Sequence, residues 1–186
     1  MVNTDITFEE IIEIQNKSIE AQYQHWINNE LFTLQFWLLM VILIVPWLIW
    51  WKSVDRKRIV EILLYGLLVH ALVTVIDEIG CQLNFWEYRY DIEPLFPRLI
   101  SINFTALPIV YMFLYQYFDK WKDFLVAHVV AAGIMSFVME PILVWLDIYE
   151  LFNWKHVYSF PIYIIIAMFF KLVMKIILKK QNSHFK

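Results

Sequence analysis

Glu140 stands directly before Pro141 and ends a helical stripe of small and polar residues, Gly133, Ser136 and Glu140, in an otherwise apolar stretch. Glycine and serine let a neighbouring helix approach closely. Pro141 has no N–H for the carbonyl four residues back, that of Phe137. A carboxyl group beside such a break can bind a ligand or exchange a proton, or it can simply join two helices through one hydrogen bond. A second stripe runs through Gly66, His70, Thr74 and Asp77, with Glu78 next. His70 there is either a proton relay or ligand contact, or a neutral imidazole bonded to a neighbouring helix. Further polar groups come from Arg98, Ser101, Asn103 and Thr105, and from Tyr158 and Ser159 ahead of Pro161. The stretch from Gly80 to Arg98 carries Trp86, Glu87, Tyr88, Pro94, Phe96 and Pro97. It is too aromatic for disorder and long for a passive connector, so it is expected to fold back as a lid.

What these residues can do depends on the elements that hold them. The chain has 186 residues, 61% of them hydrophobic, with nine Trp and only three Gly. Soluble domains run at about 45–50% apolar. Five apolar runs are long enough to cross a hydrocarbon core of about 30 Å: residues 31–51, 59–79, 99–118, 124–146 and 157–178. Trp47, Trp50, Trp51, Trp86, Tyr88, Trp121, Trp145, Trp154 and Tyr158 gather at their ends as an aromatic belt. The predicted fold is an all-α polytopic membrane bundle of five transmembrane helices.

Orientation follows from the basic residues. Lys52, Arg56, Lys57, Arg58, Lys120, Lys122, Lys171, Lys175, Lys179, Lys180 and Lys186 belong to one side, against Lys17, Arg89, Arg98 and Lys155 on the other. The positive-inside rule puts the N-terminus outside and the C-terminus, with a basic tail over 179–186, in the cytoplasm. Residues 1–30 are acidic rather than basic and do not read as a signal peptide. Within them, Thr7 and Glu10 have capping-box spacing, and Phe8, Ile12, Ile19, Tyr23 and Trp26 form one stripe. That pattern predicts an amphipathic helix on the outer leaflet, or else an extension of the first span.

This topology gathers Asp77, Glu78, Trp86, Glu87, Arg98, Asn103, Glu140, Trp154, Tyr158 and Ser159 toward the outer side, with His70 nearer mid-membrane. They are the candidate ligand-binding residues. Cys81 is the lone cysteine and no histidines cluster with it, which argues against a zinc site. No cofactor is implied, and no basic, aromatic-interleaved stripe suggests nucleic acid.

The order Asp77-x-x-Gly80, Trp86-Glu87-Tyr88, Pro108, Glu140-Pro141-Ile142-Leu143-Val144-Trp145, Asn153-Trp154-Lys155 and Tyr158-Ser159-Phe160-Pro161-Ile162-Tyr163 resembles an uncharacterised family of small five-span membrane proteins of spore-forming Gram-positive bacteria. The resemblance covers roughly residues 31–178 and implies a bacterial plasma membrane without implying an activity. A fainter likeness is to the membrane lycopene cyclase domain, through the Asp, the Gly and the Trp-x-aromatic ahead of a proline-led span. That family's paired glutamates after the proline are missing, because Pro108 is followed by Ile109, Val110 and Tyr111.

No complete catalytic motif is present. The first expectation is therefore a non-enzymatic, multi-pass plasma-membrane protein whose outward-facing pocket binds a small or lipid-like ligand, as a sensor, a carrier component or an accessory subunit to a membrane partner. The alternatives are a lipid- or isoprenoid-modifying enzyme with Glu140 as general acid and Asp77 or His70 as second group, and a membrane scaffold.

Overall fold

The computed structural model describes residues 6–95 and 98–183. Phe96 and Pro97 of the expected lid lie outside them, as do residues 1–5 and 184–186.

The chain begins with α1 (Phe8–His25), where Thr7 and Glu10 form the capping box their spacing predicts. A π turn, Trp26–Glu30, continues it. The backbone then breaks at Phe32, whose φ is 63°, and Thr33 caps the next helix. The first helix is therefore not a straight extension of the second, and none of its residues is buried.

Among the described residues, four helices are long and apolar enough to cross a membrane. The first is α2 (Leu34–Ser53) and the second is α3 (Ile59–Gln82). The third is a continuous rod from Trp121 to Trp145, made of α5 (Trp121–Ile134), a π turn (Met135–Met139) and α6 (Glu140–Trp145). The fourth lies in α7 (His156–Ser183). The segment expected over 99–118 is shorter, a five-residue π turn (Ile102–Ala106) leading into the eleven residues of α4 (Leu107–Tyr117).

Two of the three π turns, Ile102–Ala106 and Met135–Met139, precede a proline, Pro108 or Pro141, and the wider register explains why. Leu107 N–H reaches back to Ile102 O, so the Asn103 carbonyl five residues before Pro108 meets no N–H. His70 Nδ1 supplies one at 3.0 Å. A carbonyl only accepts, so the His70 proton sits on Nδ1. At Pro141 the Glu140 N–H bonds Met135 O, and this register turns the carbonyl of Ser136, rather than the expected Phe137, toward the proline.

The two ends of the bundle differ. At one, Arg58 pairs with Glu61 at 2.9 Å and with Asp119 at 3.1 Å, and Lys171 donates to Phe118 O and Asp119 O at 2.8 Å each. At the other, the loops after α3 and α6 pair as β1 (Trp86–Tyr88) and β2 (Tyr149–Leu151), antiparallel, with Tyr88 opposite Tyr149. That register sets Glu87 directly opposite Glu150, a repulsive pair. Each acid has its own arginine, Arg98 for Glu87 and Arg89 for Glu150. Trp26 Nε1 donates to Asp91 O, so the end of the first helical segment rests on this cap. The apolar core between the ends centres on Tyr65, Tyr111, Met112, Phe124 and Met174, with Tyr65 stacked on Tyr115 at 4.3 Å.

Candidate functional site

Asp77 lies one helical turn before Gly80 on α3, so both face the cap. Asp77 Oδ1 accepts from Trp86 Nε1 at 2.9 Å and from Tyr88 OH at 2.6 Å, and Oδ2 accepts from Asn103 Nδ2 at 2.7 Å. One carboxylate thus fastens both β1 and the entry to α4. Gly80 makes the contact possible: a Cβ there would lie 2.1 Å from the Trp86 ring. Asn103 also donates to Arg98 O at 3.0 Å.

Glu140 projects from the start of α6, just after the π turn. Its Oε1 accepts from Tyr163 OH at 2.8 Å, and its Oε2 lies 2.7 Å from His156 Nδ1. Both partners belong to α7. Nearby, Trp154 Nε1 donates to Ser159 Oγ at 3.0 Å, and its ring packs edge-on against Trp86 at 4.9 Å.

These two groups line the same cavity, of about 100 Å³. Asp77, Asn103, Trp86 and Tyr88 contribute from one side, and Glu140, Tyr163, Ser159 and Trp154 from the other. Tyr149 and aliphatic residues such as Val73, Leu107 and Ile166 complete it. A buried water needs about 10–15 Å³ on this kind of measure, so the space admits several waters or a small organic group.

Six of the expected residues therefore meet here: Asp77, Trp86, Asn103, Glu140, Trp154 and Ser159. The others lie elsewhere. Glu78 accepts from Gln82 at 3.0 Å and leaves its Oε2 buried without a partner. Adjacent helical residues diverge by about 100°, so Glu78 cannot share the face of Asp77. His70 is committed to the Asn103 carbonyl and to Thr74, and Phe104 lies against its ring. Tyr158 packs edge-on against Trp154 and is exposed. Glu87 and Arg98 face a separate groove of about 530 Å³ beneath the first helix.

That groove holds Glu30 and Asp91. Asp91 accepts from Ile92 N and Leu99 N, and Glu30 accepts from Asp91 N at 2.9 Å. Burial raises the Asp91 carboxyl to about 7 and raises Glu30 as well.

Sequence reasoning did not single out His156 or Tyr149. His156 is 16 positions beyond Glu140, across a loop, and no helical period connects them. The Asn153–Lys155 and Tyr158–Tyr163 motifs did point to this stretch of chain.

Compared with known proteins, the chain matches no family model, no curated protein and no solved structure.

Proposed function

We propose that this is a five-span plasma-membrane protein, N-terminus outside and C-terminus cytoplasmic, whose cavity at the outer end binds a small or lipid-like ligand. Support for the fifth span comes from its ends. Arg98 lies with Glu87 at the strand-capped end, while Asp119 pairs with Arg58 at the other, so the chain between them runs the length of the bundle. The basic residues assign that second end to the cytoplasm. The resemblance to small five-span bacterial membrane proteins agrees with this layout. The first helix, with Glu9, Glu10, Glu13 and Glu20 opposite exposed Phe8, Ile12, Ile19 and Tyr23, suits an amphipathic element on the outer leaflet.

The observation that carries the ligand reading is that Asp77 and Glu140, from separate helices, line one cavity instead of bonding each other. Both carboxyls also bond across helices, as a scaffold's would, but a scaffold would be expected to leave no space between them. The enzymatic reading keeps one specific support: His156 gives Glu140 a proton-exchanging partner at 2.7 Å.

Native mass spectrometry of the full chain, extracted in mild detergent, tests the reading. Wild-type protein should carry a non-covalent adduct, and Ile76→Phe, which fills the cavity, should lose it while eluting as wild type does. Bare wild-type protein together with a more stable Ile76→Phe would make the cavity a packing defect and favour the scaffold.

A further inference from the structure

Charge and ring chemistry narrow the ligand class. Among the described residues, the cavity wall contains two carboxyl groups, Asp77 and Glu140, and no Lys, Arg or His. Two basic side chains of the neighbouring segments already serve acids: Arg98 is paired with Glu87, and His156 is on Glu140. Five aromatic residues face the same space, Trp86, Tyr88, Tyr149, Trp154 and Tyr163. Aromatic faces carry negative quadrupole density and attract cations, more strongly where water is excluded.

Hydrogen bonding agrees. Asp77 takes three donors and Glu140 has one partner per oxygen, so Glu140 retains a free acceptor position on each oxygen. An anion entering would meet two carboxyl groups without a counter-charge. A neutral molecule would leave the five aromatic faces with no charge to attract. A cation with N–H or N–CH₃ groups satisfies the rings and the carboxyls together.

We infer that the ligand is a small organic ammonium with a short apolar substituent, its charged head between Glu140 and the Trp86–Trp154 pair and its substituent against the aliphatic wall. The inference rests on the ligand-binding reading above. The same head group occurs on free alkylamines and on aminophospholipids of the outer leaflet, so the shared chemistry is what the structure assigns.

Titration calorimetry on the full chain in detergent separates the possibilities by charge. The probes are propylammonium and tetramethylammonium, neutral propanol and tert-butanol, and anionic propionate. The ammonium probes should bind about tenfold tighter than the alcohols or more, since desolvated cation–π and charge-assisted bonds add to the shared apolar contact. Glu140→Gln should weaken ammonium binding about tenfold and leave propanol unchanged. Propanol or propionate binding as tightly as propylammonium would overturn the cation inference and leave a ligand pocket standing. Absence of binding by any probe would sink the pocket reading itself. The wild-type charge series decides the matter even if the Gln variant does not fold. In nanodiscs, phosphatidylethanolamine that competes with propylammonium, where phosphatidylglycerol does not, assigns the head group to a lipid; equal binding in both assigns it to a free amine. Either result upholds the cation.

Discussion

The three glycines form a natural series in which the structure sets three different outcomes for the same added methyl group. At Gly80 the new Cβ would lie 2.1, 2.3 and 2.6 Å from atoms of the Trp86 ring. Ordinary carbon contacts are about 3.5–4.0 Å, so the ring must withdraw by more than 1 Å. It is rigid, buried, and tied to Asp77 at 2.9 Å. Overpacking costs about 1–3 kcal/mol and a lost bond to a carboxylate about 1.5–3 kcal/mol, so Gly80→Ala should destabilise by about 2.5–6 kcal/mol. At Gly66 the methyl meets Met112 Sδ at 2.5 Å and Cγ at 2.7 Å; methionine rearranges more readily than an indole ring, so the loss should sit at the low end of the overpacking range, about 1 kcal/mol. At Gly133 the nearest contact is Phe160 at 3.9 Å, and the added helix propensity should stabilise by up to about 1 kcal/mol. Thermal unfolding in detergent, followed by intrinsic fluorescence, measures the order. The double variant Gly80→Ala with Trp86→Phe removes the clashing ring atoms and should be more stable than the sum of the two single changes predicts. Equal midpoints for the Gly80 and Gly133 variants would refute the close approach, and with it the account of how Asp77 holds the cap.

Three further outcomes follow from the cap and the topology. In a Cys81→Ser background, a membrane-impermeant thiol reagent should label a cysteine placed at Asn16 in intact cells and miss one placed at Lys120; the opposite pattern inverts the orientation. Trypsin should cleave slowly after Arg89 in folded protein, because the Arg89 N–H is bonded to Ile148 O at 3.1 Å, and rapidly in Trp86→Ala, which frees the strand; fast cleavage of wild type would mean the cap is not docked. The Asp91 carboxyl, raised from 3.8 to about 7, binds its proton more tightly folded than unfolded. Its contribution to stability is therefore complete below about pH 4 and is lost as pH rises toward 7, with a slope of at most about 1.4 kcal/mol per pH unit. Unfolding midpoints from pH 5 to 8 should fall more steeply for wild type than for Asp91→Asn, and parallel curves would refute it.

Four of the five expected spans were legible because their signal is crude: about 20 apolar residues have few uses outside a bilayer. The capping box at Thr7 and Glu10 was equally plain, since both halves lie within one turn. The stripe through Asp77 and Gly80 was visible as spacing, but its meaning lay in Trp86, which reaches back only after the chain reverses. Pairing of Trp86–Tyr88 with Tyr149–Leu151 had no sequence signal: three-residue strands show no period, and some 60 residues separate them. Adjacency in sequence suggests Glu78 for the same site as Asp77, but a helix turns neighbours to different faces. Glu87 and Arg98 were grouped with the cavity by depth alone, and the cap puts them on its far side.

The two carboxyl groups in the cavity differ in what holds them, and amide substitution should expose the difference. Asp77 faces only donors: the Trp86 N–H, the Tyr88 hydroxyl and the Asn103 amide. In Asp77→Asn one acceptor oxygen becomes an NH₂ group. Either orientation points it at an N–H or O–H that gives up its bond: Trp86 has no acceptor to offer, and Asn103 could present its oxygen only by losing its bond to Arg98 O. The loss should be about 2–3 kcal/mol, the cost of stranding a buried donor, and trypsin should then reach Arg89. Glu140 faces a hydroxyl and an imidazole. In Glu140→Gln the amide oxygen keeps the Tyr163 bond while the NH₂ meets His156, which accepts at Nδ1 by moving its proton to Nε2. That exchange conserves the bonds, so the unfolding midpoint should change by less than about 1 kcal/mol and the cap should stay closed. One variant therefore loosens the cap, and the other leaves the fold intact while altering the charge in the cavity. Comparable destabilisation by both would mean that Glu140 is a packing group like Asp77, and would remove the distinction between a residue that builds the cavity and one left available to a ligand.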